Sequence, residues 1–575
     1  MAVLSITQGH DTGAVIVKDG RILAAISEER LSRIKMDTQF PSRSIPAVMQ
    51  IAGVKHEDIK HVVIPELRKG EDIFKNIFPK YPKSVFAGSK SARAGFGDRT
   101  RQLVMSGSLL MKTYPRMALL YRRYEKRLRE MFPQAQLHRV EHHLTHAASA
   151  YYTSGFEKAI VITGDAWGDF VSTMVCLGEG KKMRAVHRSY YPNSLGHYYQ
   201  SLTNWLGFRG GRHEGKILGL AAFGDPASPV YDEIKGLLVC EGLDVHAPYM
   251  MGKIWHKKMP FAKSSMMSKL VAKYKREDIA AAFQRRFEEV VTTLVKNAME
   301  HYKVDSFCLA GGIFANVKLN QRVFEVPGVK RVYIFPNMGD GGVCAGGALY
   351  YDINQNGSRG SALPHAYLGP DYSEKQMEKA LRDKGVPFEY HKDIEVKVAG
   401  LLTQNKVVAR FNGAMEYGPR ALGNRSILYP AVDPAVNKWL NDRLKRTEFM
   451  PFAPVTLMEE APRCYKNLSG AEYPARFMTI TFDCTDFMRT KSPAAVHVDN
   501  TARPQLIDEQ SNASYYRILK EYYKLTGIPS IVNTSFNMHE EPIVCSPEDA
   551  IRAFQLGHLD YLALGPFLIK GQNQN

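Results

Sequence analysis

Short apolar runs separated by polar turns open the chain and predict a strand-rich beginning. The order predicted is strand, turn, strand, hairpin, strand, with the strands at Val3 to Thr7, Ala14 to Val17 and Arg21 to Ser27. A second passage beginning at Ala159 has the same order, with the polar turn Gly164 to Asp169 between its first two runs. The two passages therefore indicate an internal repeat of one supersecondary unit.

A duplicated unit of this kind is typical of the two-lobed actin/hexokinase/Hsp70-like α/β architecture. In that architecture a nucleotide lies between related lobes, and backbone N–H groups of the turns face its phosphates. Two unrelated meanders are the alternative interpretation. Either way the spacing predicts mixed α/β structure, and the apolar positions between Asp278 and His301 predict a long helix.

Near residues 355 to 370 the apolar pattern gives way to a polar stretch rich in Gly, Ser and Pro. Such a stretch predicts a domain boundary. We expect a first domain at 1–355 and a second α/β domain at 356–575. Strands in the second domain are predicted at Val407 to Phe411, Met478 to Phe482 and Ser530 to Val532.

Charge is concentrated in one part of the 575-residue chain. The formal net charge is +18, and the segment from Arg68 to Val140 holds 17 Lys and Arg against five acids. We interpret residues of about 68–131 as a basic helical insertion, with an amphipathic helix from Met117 to Arg129. We expect this helix to be solvated or to form an oligomer contact, as in a homodimer. The alternative is that its surface contacts an anionic or lipid-linked acceptor or a membrane surface.

Composition excludes several classes of protein. Hydrophobic residues make up 45% and charged residues 23% of the chain, as in ordinary globular proteins and unlike disordered chains. Seven scattered cysteines without a C-x-x-C pair suit reduced thiols. Neither a signal peptide nor a run of 18 apolar residues is present, so a cytoplasmic protein is expected.

Two histidines separated by one helical turn give the sharpest local signal. His142 and His146 share a helix face, so their imidazoles can bind one metal ion. Asp165 and Asp340 each follow an apolar run and are predicted to add carboxylates at turn tips. Two imidazoles and two carboxylates suit Fe(II), Mn(II) or Zn(II). Chance pairing of core histidines is the alternative.

Other motifs suggest sites for phosphate or ribose. Gly311, Gly312 and Asn316 lie where a predicted strand turns into a helix, a geometry that places phosphate at a helix N-terminus. In the second domain, a Gly-rich segment with two arginines is predicted to form a loop opening a helix. The candidates for one polyanion site there are Arg420, Lys445, Arg446, Arg503, Asn533 and Ser535. Singly, each basic residue is more typical of a solvated surface.

Taken together, a series of motifs resembles the O-carbamoyltransferases of secondary metabolism, which include nebramycin, cephamycin, novobiocin and nodulation-factor enzymes. The resemblance extends over nearly the whole chain. Its motifs, in order, are EHHLTHAASAYY, GDAWGD, HEGKILGLAAFG, LAGGIFANVKLN, NMGDGGVCAGGAL, EYGPRALGNRSIL, RTEFMPFAPV, DNTARPQ and IVNTSFNMHEEPIV.

The resemblance implies an N-terminal domain similar to tRNA threonylcarbamoyl transferase and a C-terminal domain similar to threonylcarbamoyl-adenylate synthase. By analogy the C-terminal domain joins carbamoyl phosphate to ATP, giving carbamoyl adenylate and pyrophosphate. The carbamoyl group then passes in the N-terminal domain to a hydroxyl of a natural product, sugar or glycoside, and AMP leaves. A divalent metal, expected to be Fe(II), and Mg(II) with ATP are the implied ions.

The resemblance also implies residue roles. Arg420, Lys445, Arg503 and Ser535 match adenylation-site positions. His10 would take the proton from the acceptor hydroxyl, Lys35 would offset developing negative charge, and Asp225 would orient the acceptor.

Two departures from the family pattern are a methionine, Met450, where many relatives have arginine, and Thr12-Gly13 in the first turn. Arg446 is a candidate to supply the phosphate contact that Met450 lacks. Neither departure changes the expected reaction class.

Two other functions remain open at this point. One is a tRNA-modifying threonylcarbamoyl transferase, which the net charge suggests. The other is a catalytically silent nucleotide-binding regulator of the actin-like superfamily. The full-length motif series disfavours nucleic acid as a partner, and the complete set of ligand and arginine candidates disfavours a silent protein. The sequence does not identify the acceptor.

Overall fold

The computed structural model describes residues 1–7, 9–67, 118–247, 265–444 and 450–571. The chain divides into two compact units. The first consists of Met1–Gln8, Val15–Ile22 and Val54–Ala362, and the second of Gly9–Ala14, Leu23–Gly53 and Leu363–Asn575. The second unit thus includes two N-terminal segments. The predicted functional domains at 1–355 and 356–575 stay predictions.

Two five-stranded sheets are built from strands that lie between residues 3 and 334. One has the strand order β3-β2-β1-β4-β5, and the other has the order β12-β11-β6-β7-β8. A two-stranded hairpin, β9 and β10, accompanies them. The strands are β1 (Val3–Thr7), β2 (Gly13–Lys18), β3 (Arg21–Ser27), β4 (His61–Ile64), β5 (Gln136–Arg139), β6 (Lys158–Gly168), β7 (Val171–Glu179), β8 (Lys182–Tyr190), β9 (Val239–Glu241), β10 (Asp244–His246), β11 (Ser306–Ala310) and β12 (Arg331–Ile334).

The two sheets follow one plan, which confirms the predicted repeat. In each sheet three consecutive strands lie side by side, and two later strands then add in parallel to the first of the three. β1 pairs with β4 and β4 with β5 in one sheet, as β6 pairs with β11 and β11 with β12 in the other. All five residues of β1 and of β11 are buried, as expected where both faces of a parallel sheet are covered.

Helices follow the strands in both repeats. The long helix predicted at 278–301 is confirmed, since α8 covers Arg276–Tyr302. Apart from the partly described helix at 118–131, the helices up to residue 355 are α1 (Glu28–Ser32), α2 (Ser44–Ala52), α3 (His142–Ser154), α4 (Leu195–Trp205), α5 (Glu214–Ala221), α6 (Val230–Ile234), α7 (Met266–Lys273), α8 (Arg276–Tyr302), α9 (Val317–Phe324) and α10 (Val343–Gln355).

Helices α3 and α10 are in very close contact. A Cβ atom at Gly346 of α10 would lie 1.7 Å from the carbonyl oxygen of Thr145 in α3, so only glycine allows this approach. The approach matters because α10 begins just after Asp340 and α3 carries His142 and His146. It brings two parts of the chain together that carry candidate metal ligands.

The basic insertion is described only in part. Residues 118–131 are helical, whereas 68–117 lie outside the described residues. Tyr121 and Leu128 are buried, while Leu119 and Leu120 are exposed. The helix is therefore amphipathic, as predicted, with two apolar side chains left on its exposed face. In the described parts of the chain, no helix combines the length and the apolar character that crossing a membrane requires.

The second unit is built on an eight-stranded mixed sheet with the order β13-β22-β21-β14-β15-β20-β16-β19, and β17 and β18 form a separate pair. Its strands are β13 (Glu389–Tyr390), β14 (Val408–Phe411), β15 (Arg425–Pro430), β16 (Ala453–Leu457), β17 (Phe482–Asp483), β18 (Thr501–Ala502), β19 (Gln505–Ile507), β20 (Ser530–Ser535), β21 (Tyr561–Leu564) and β22 (Phe567–Lys570). Its later helices are α11 (Glu374–Asp383), α12 (Ile394–Thr403), α13 (Val436–Arg443), α14 (Ala461–Cys464), α15 (Glu472–Ala475), α16 (Asp486–Lys491), α17 (Ala513–Thr526) and α18 (Pro547–Leu556).

One apolar cluster joins this sheet to helices α12 and α17. Leu402 of α12 and Leu519 of α17 are buried against sheet residues such as Leu428 and Ile531. Two of the three predicted strands are confirmed as β14 and β20. The strand predicted at Met478 to Phe482 is wrong, because Met478 has φ 57° and only Phe482–Asp483 pair as a strand.

Candidate functional site

The first two candidate ligands lie on helix α3. His142 and His146 are both buried, and their Nε2 atoms are 3.1 Å apart. The start of the helix is fixed by the carboxylate of Asp169, which accepts the backbone N–H of His142 at 2.9 Å. Glu141, directly before the helix, receives two hydrogen bonds from Arg188 at 3.0 and 2.8 Å. The two imidazoles are therefore held on one helix face, as predicted.

Asp165 enters the cluster from strand β6. The prediction placed it at a turn tip where the strand ends, but β6 continues to Gly168, with an irregular register between Gly164 and Gly168. A bulge of this kind redirects a side chain without ending the strand. Asp165 Oδ1 accepts the N–H of Ala166 at 2.6 Å, and Oδ2 lies 3.3 Å from His146 Nε2.

Asp340 completes the cluster from the turn Asp340–Gly342 that precedes α10. Its Oδ1 lies 3.4 Å from the Nε2 atoms of both His142 and His146. One potential ligand atom from each of the four residues lies within 4.8 Å of the others. The four predicted ligands are therefore brought together, although the chain separates them widely.

The charges of the cluster suit a cation. Burial disfavours the charged form of His142, but Asp340 and then Asp165 and Asp169 outweigh it and raise its pKa to about 9. Burial disfavours the charged form of Asp340 and tends to raise its pKa, but the two imidazoles outweigh this and hold the pKa well below the ordinary value. Asp340 Oδ1 is buried, and the Nε2 atoms of His142 and His146 lie within ion-pair distance of it. Two imidazoles and two carboxylates brought this close together fit a divalent metal ion.

A neighbouring histidine on the same helix has a different environment. His143 Nδ1 lies 2.7 Å from Thr163 Oγ1, and Nε2 lies 3.0 Å from the carbonyl oxygen of Val171. Burial, together with nearby His142 and His146, lowers its pKa well below the ordinary value. A neutral His143 thus joins α3 to strands β6 and β7.

The predicted Gly-rich turn lies beside the cluster. Gly311 has φ 101°, and a Cβ there would lie 2.1 Å from the carbonyl oxygen of Gly164. The N–H of Gly312 donates to Asp165 Oδ2 at 3.4 Å, so this turn also positions Asp165, one of the four candidate metal ligands. Asn316 caps α9 by accepting the N–H of Leu319 at 3.0 Å and bonds the amide of Gln284. The structure gives Asn316 a role in the fold, and its predicted contact with ribose or phosphate stays a prediction.

Part of the arginine set is joined by one network in the second unit. Asn533 Nδ2 donates to the carbonyl of Ala421 at 3.2 Å and to Gln505 Oε1 at 2.8 Å. Gln505 in turn donates to the carbonyl of Leu422 at 2.8 Å. These bonds tie together the chain segments that carry Arg420, Arg503 and Ser535. Lys445 and Arg446 lie outside the described residues.

The loop that contains Arg420 leads into strand β15, and the predicted helix after it is wrong. Its other arginine, Arg425, is fully buried. The Arg425 guanidinium donates to the carbonyls of Asn412 and Gly413 at 3.0 Å, and its carbon lies 3.7 Å from the centre of the Phe411 ring. Arg425 therefore holds the fold, whereas Arg420 is half-buried.

The predicted transfer residues His10 and Lys35 belong to the two N-terminal segments of the second unit. His10 is exposed, with Nδ1 3.1 Å from Asp11 Oδ2. The N–H of Thr12 donates to the carbonyl of Asp37 at 3.2 Å, which joins the His10 turn to the segment of Lys35. Asp225, in the first unit, accepts the N–H of Ala227 at 2.8 Å. The catalytic roles of these residues stay predictions.

Sequence reasoning missed two carboxylates that shape these sites. Asp169 holds the start of α3, and the repeated Gly-Asp in GDAWGD was a signal for it. Glu416 is buried, and its Oε1 accepts the backbone N–H groups of Leu422, Asn424 and Arg425 at 2.8 to 3.1 Å. The glutamate directly before the YGPR motif was the corresponding signal.

Comparison with known proteins gives the class. Residues 3–349 match the family described as carbamoyltransferase N-terminus, and residues 399–571 match carbamoyltransferase C-terminus. The chain therefore belongs to the carbamoyltransferase family and is an enzyme of carbamoyl transfer.

Individual relatives extend over most of the chain. Nodulation protein NolNO of Sinorhizobium fredii is 32% identical over 580 residues, which cover 98% of this chain and 79% of that protein. Uncharacterized protein sll1178 of Synechocystis sp. is 30% identical over 600 residues, with 97% and 95% covered. A solved structure, full-length HypF in the phosphate- and nucleotide-bound form, covers 62% of this chain and 56% of its own, at 13% identity and a TM-score of 0.31. That likeness is too weak to carry an argument.

Proposed function

We propose that this carbamoyltransferase is an ATP-dependent O-carbamoyltransferase that works in two half-reactions. The C-terminal region makes carbamoyl adenylate from carbamoyl phosphate and ATP. The N-terminal region then transfers the carbamoyl group to a hydroxyl of a small molecule or glycoside. One observation carries the proposal: four side chains able to bind one metal ion come together within the region that matches the carbamoyltransferase N-terminus.

The first half-reaction brings two polyanions together. Water cleaves carbamoyl phosphate to carbamate and orthophosphate, a carbamate oxygen attacks the α-phosphorus of ATP, and pyrophosphate leaves. Catalysis of such a step rests on charge neutralisation and in-line positioning. Arg420, Arg503 and Ser535 are assigned these contacts, with Mg(II) bound to ATP. The network through Asn533 and Gln505 supports the assignment, because it fixes the segments that carry them.

In the second half-reaction the acceptor oxygen attacks the carbamoyl carbon, the bond to the AMP oxygen breaks, and AMP leaves. His10 takes the hydroxyl proton, and Lys35 offsets the negative charge that develops. Asp225 orients the acceptor. His142, His146, Asp165 and Asp340 would hold the divalent metal, which would supply Lewis acidity for the transfer step. The donor set fits Fe(II).

The main alternative is a threonylcarbamoyl transferase that modifies tRNA. Such an enzyme would require threonine and tRNA, whereas an O-carbamoyltransferase requires neither. Family matches to both the N- and C-terminus of carbamoyltransferases favour the small-molecule reaction.

The experiment is to incubate the protein with metal, ATP, carbamoyl phosphate and a panel of hydroxyl acceptors. We expect one pyrophosphate and one orthophosphate per turnover and an acceptor mass gain of one carbamoyl group. Arg503→Ala should abolish pyrophosphate release, whereas His10→Ala should retain it and lose transfer. Absence of nucleotide turnover in wild-type protein would refute the proposal, and loss of the same half-reaction in both variants would refute the division of roles.

A further inference from the structure

A buried arginine in the N-terminal part of the chain contacts the loop assigned to phosphate. Arg30 of helix α1 is only 6% exposed and belongs to the second unit. Its Nη2 donates to the carbonyl oxygen of Gly418 at 2.9 Å, and its Nε lies 3.4 Å from Glu29 Oε1. A buried guanidinium requires such partners, since an unpaired buried charge is costly.

The position of the Gly418 contact gives it significance. Gly418 has φ 131°, a positive value that glycine adopts far more readily than other residues, and it precedes Arg420 by two residues. On the other side of Arg420, Glu416 accepts the N–H groups of Leu422 and Asn424 at 2.9 and 2.8 Å. Arg30 and Glu416 therefore hold the loop on both sides of Arg420.

The same arginine is connected to the segment of Lys35. Glu29 uses its second oxygen, Oε2, to accept the N–H of Met36 at 2.8 Å. Met36 directly follows Lys35 in the chain. A continuous series of contacts thus runs from Gly418 through Arg30 and Glu29 to the residue beside Lys35.

We propose that Arg30 is a positioning residue that holds the Gly418–Arg420 loop in its phosphate-binding conformation and joins it to the Lys35 segment. This inference rests on the proposed function, which assigns Arg420 to phosphate and Lys35 to carbamoyl transfer. Arg30 itself touches neither substrate. Its effect on the adenylation step passes through the carbonyl of Gly418, and its effect on the transfer step passes through Glu29.

The kinetic test measures pyrophosphate release against carbamoyl phosphate concentration. One hydrogen bond to a charged group is worth about 1.5–3 kcal/mol, so Arg30→Ala should raise KM for carbamoyl phosphate roughly 10- to 100-fold and change kcat less. Arg30→Lys should rescue only part of this loss. Lysine keeps the positive charge, but its single ammonium group cannot contact both Glu29 and Gly418 as the planar guanidinium does. An unchanged KM in Arg30→Ala would overturn the proposal.

The matched control is Arg43→Ala. Arg43 is exposed, and its guanidinium donates to the carbonyl of Leu31, next to Arg30, rather than to the loop. Its loss should leave KM within about twofold of wild type. A KM increase equal to that of Arg30→Ala would show that any disturbance of helix α1 suffices, and would overturn the specific role of Arg30.

A double variant tests the route of the effect. If Arg30 acts through the Arg420 loop, Arg30→Ala should add little to the KM of Arg420→Ala. Fully multiplicative effects would mean that Arg30 acts independently of Arg420, against the proposal.

Hydrogen exchange separates this inference from the proposed function. Amides of residues 417–425 in substrate-free protein should exchange faster in Arg30→Ala than in wild type or Arg43→Ala, at similar melting temperature. Unchanged exchange would overturn the role of Arg30 whatever the activity. Absence of pyrophosphate release in the wild type, with the exchange difference present, would overturn the proposed function alone.

Discussion

The Nε2 atoms of His142 and His146 lie 3.1 Å apart, and Asp340 Oδ1 lies 3.4 Å from each of them. These three atoms all carry lone pairs, and two of their side chains are buried. Their lone pairs repel one another unless a proton or a metal ion lies among them. The cluster is therefore the part of the molecule where cation binding has the clearest consequence.

We expect His146→Ala to weaken divalent metal binding by at least about 10-fold, because it removes a ligand from the cluster centre. Metal content after dialysis and titration calorimetry with Fe(II), Mn(II) and Zn(II) measure this. His143→Gln is the matched control on the same helix. It should keep the metal and lower the free energy of unfolding by about 1–3 kcal/mol, since Thr163 and Val171 lose their partner. Metal loss in the control alone would contradict the ligand assignment.

Gly168→Ala should impair the same site by steric contact alone. A Cβ at Gly168 would lie 2.1 Å from Cδ2 and 2.8 Å from Nε2 of His142, so the ring must move. Metal affinity and carbamoyl transfer should fall together, as measured by calorimetry and product mass. Gly400→Ala is a control in helix α12, where a Cβ meets no atom within 4 Å. Since alanine favours a helix, that variant should gain up to about 1 kcal/mol in stability. Normal metal binding in Gly168→Ala would refute the close approach of Gly168 to His142.

Arg420→Ala and Arg425→Ala should separate function from stability within one loop. Arg425 is fully buried against Phe411, so its loss should lower the free energy of unfolding by on the order of 3 kcal/mol. Arg420→Ala should unfold like the wild type and release pyrophosphate only with a strongly raised KM for carbamoyl phosphate. Denaturant unfolding and the pyrophosphate assay are the two measurements. If Arg425→Ala impaired pyrophosphate release and Arg420→Ala lowered stability instead, the roles of the two arginines would have to be exchanged.

Acid sensitivity should depend on the pair His61 and His138. Their ring nitrogens lie 3.0 Å apart, and Tyr351 Oη is 3.1 Å from His61 Nδ1. Burial lowers the pKa of His61, and burial together with His61 lowers that of His138. Each histidine is therefore more readily protonated in the unfolded chain. Stability should be complete above the ordinary value of 6.5 and decline as pH falls through it toward the lowered folded pKa.

The variant that tests this pair is His138→Gln. Its unfolding free energy should depend less on pH below 6.5 than that of the wild type, as followed by denaturant titrations at several pH values. His301→Gln, at an exposed position near the end of α8, serves as the control for replacing a histidine elsewhere in the chain. Equal slopes in wild type and His138→Gln would show that the pair does not contribute.

Local pattern was sufficient for much of the fold. The strands of both repeats and helix α8 follow from apolar spacing, since side-chain periodicity is a property of neighbouring residues. The shared face of His142 and His146 is equally local. The strand predicted near Met478 was wrong because apolar spacing does not report backbone conformation, and Met478 has φ 57°.

Sequence patterns were enough to predict the repeated strand order, the long helix, the histidine pair and the motif series that indicates carbamoyl transfer. Three features became evident only in the folded chain: the entry of Asp165 into the cluster from a bulge, the burial of Arg425 rather than Arg420, and the contact of Arg30 with Gly418 across 388 positions. The difference lies in the range of the interactions. Periodicity and helix geometry act over a few residues, whereas burial and hydrogen bonding between distant segments exist only once the chain has folded.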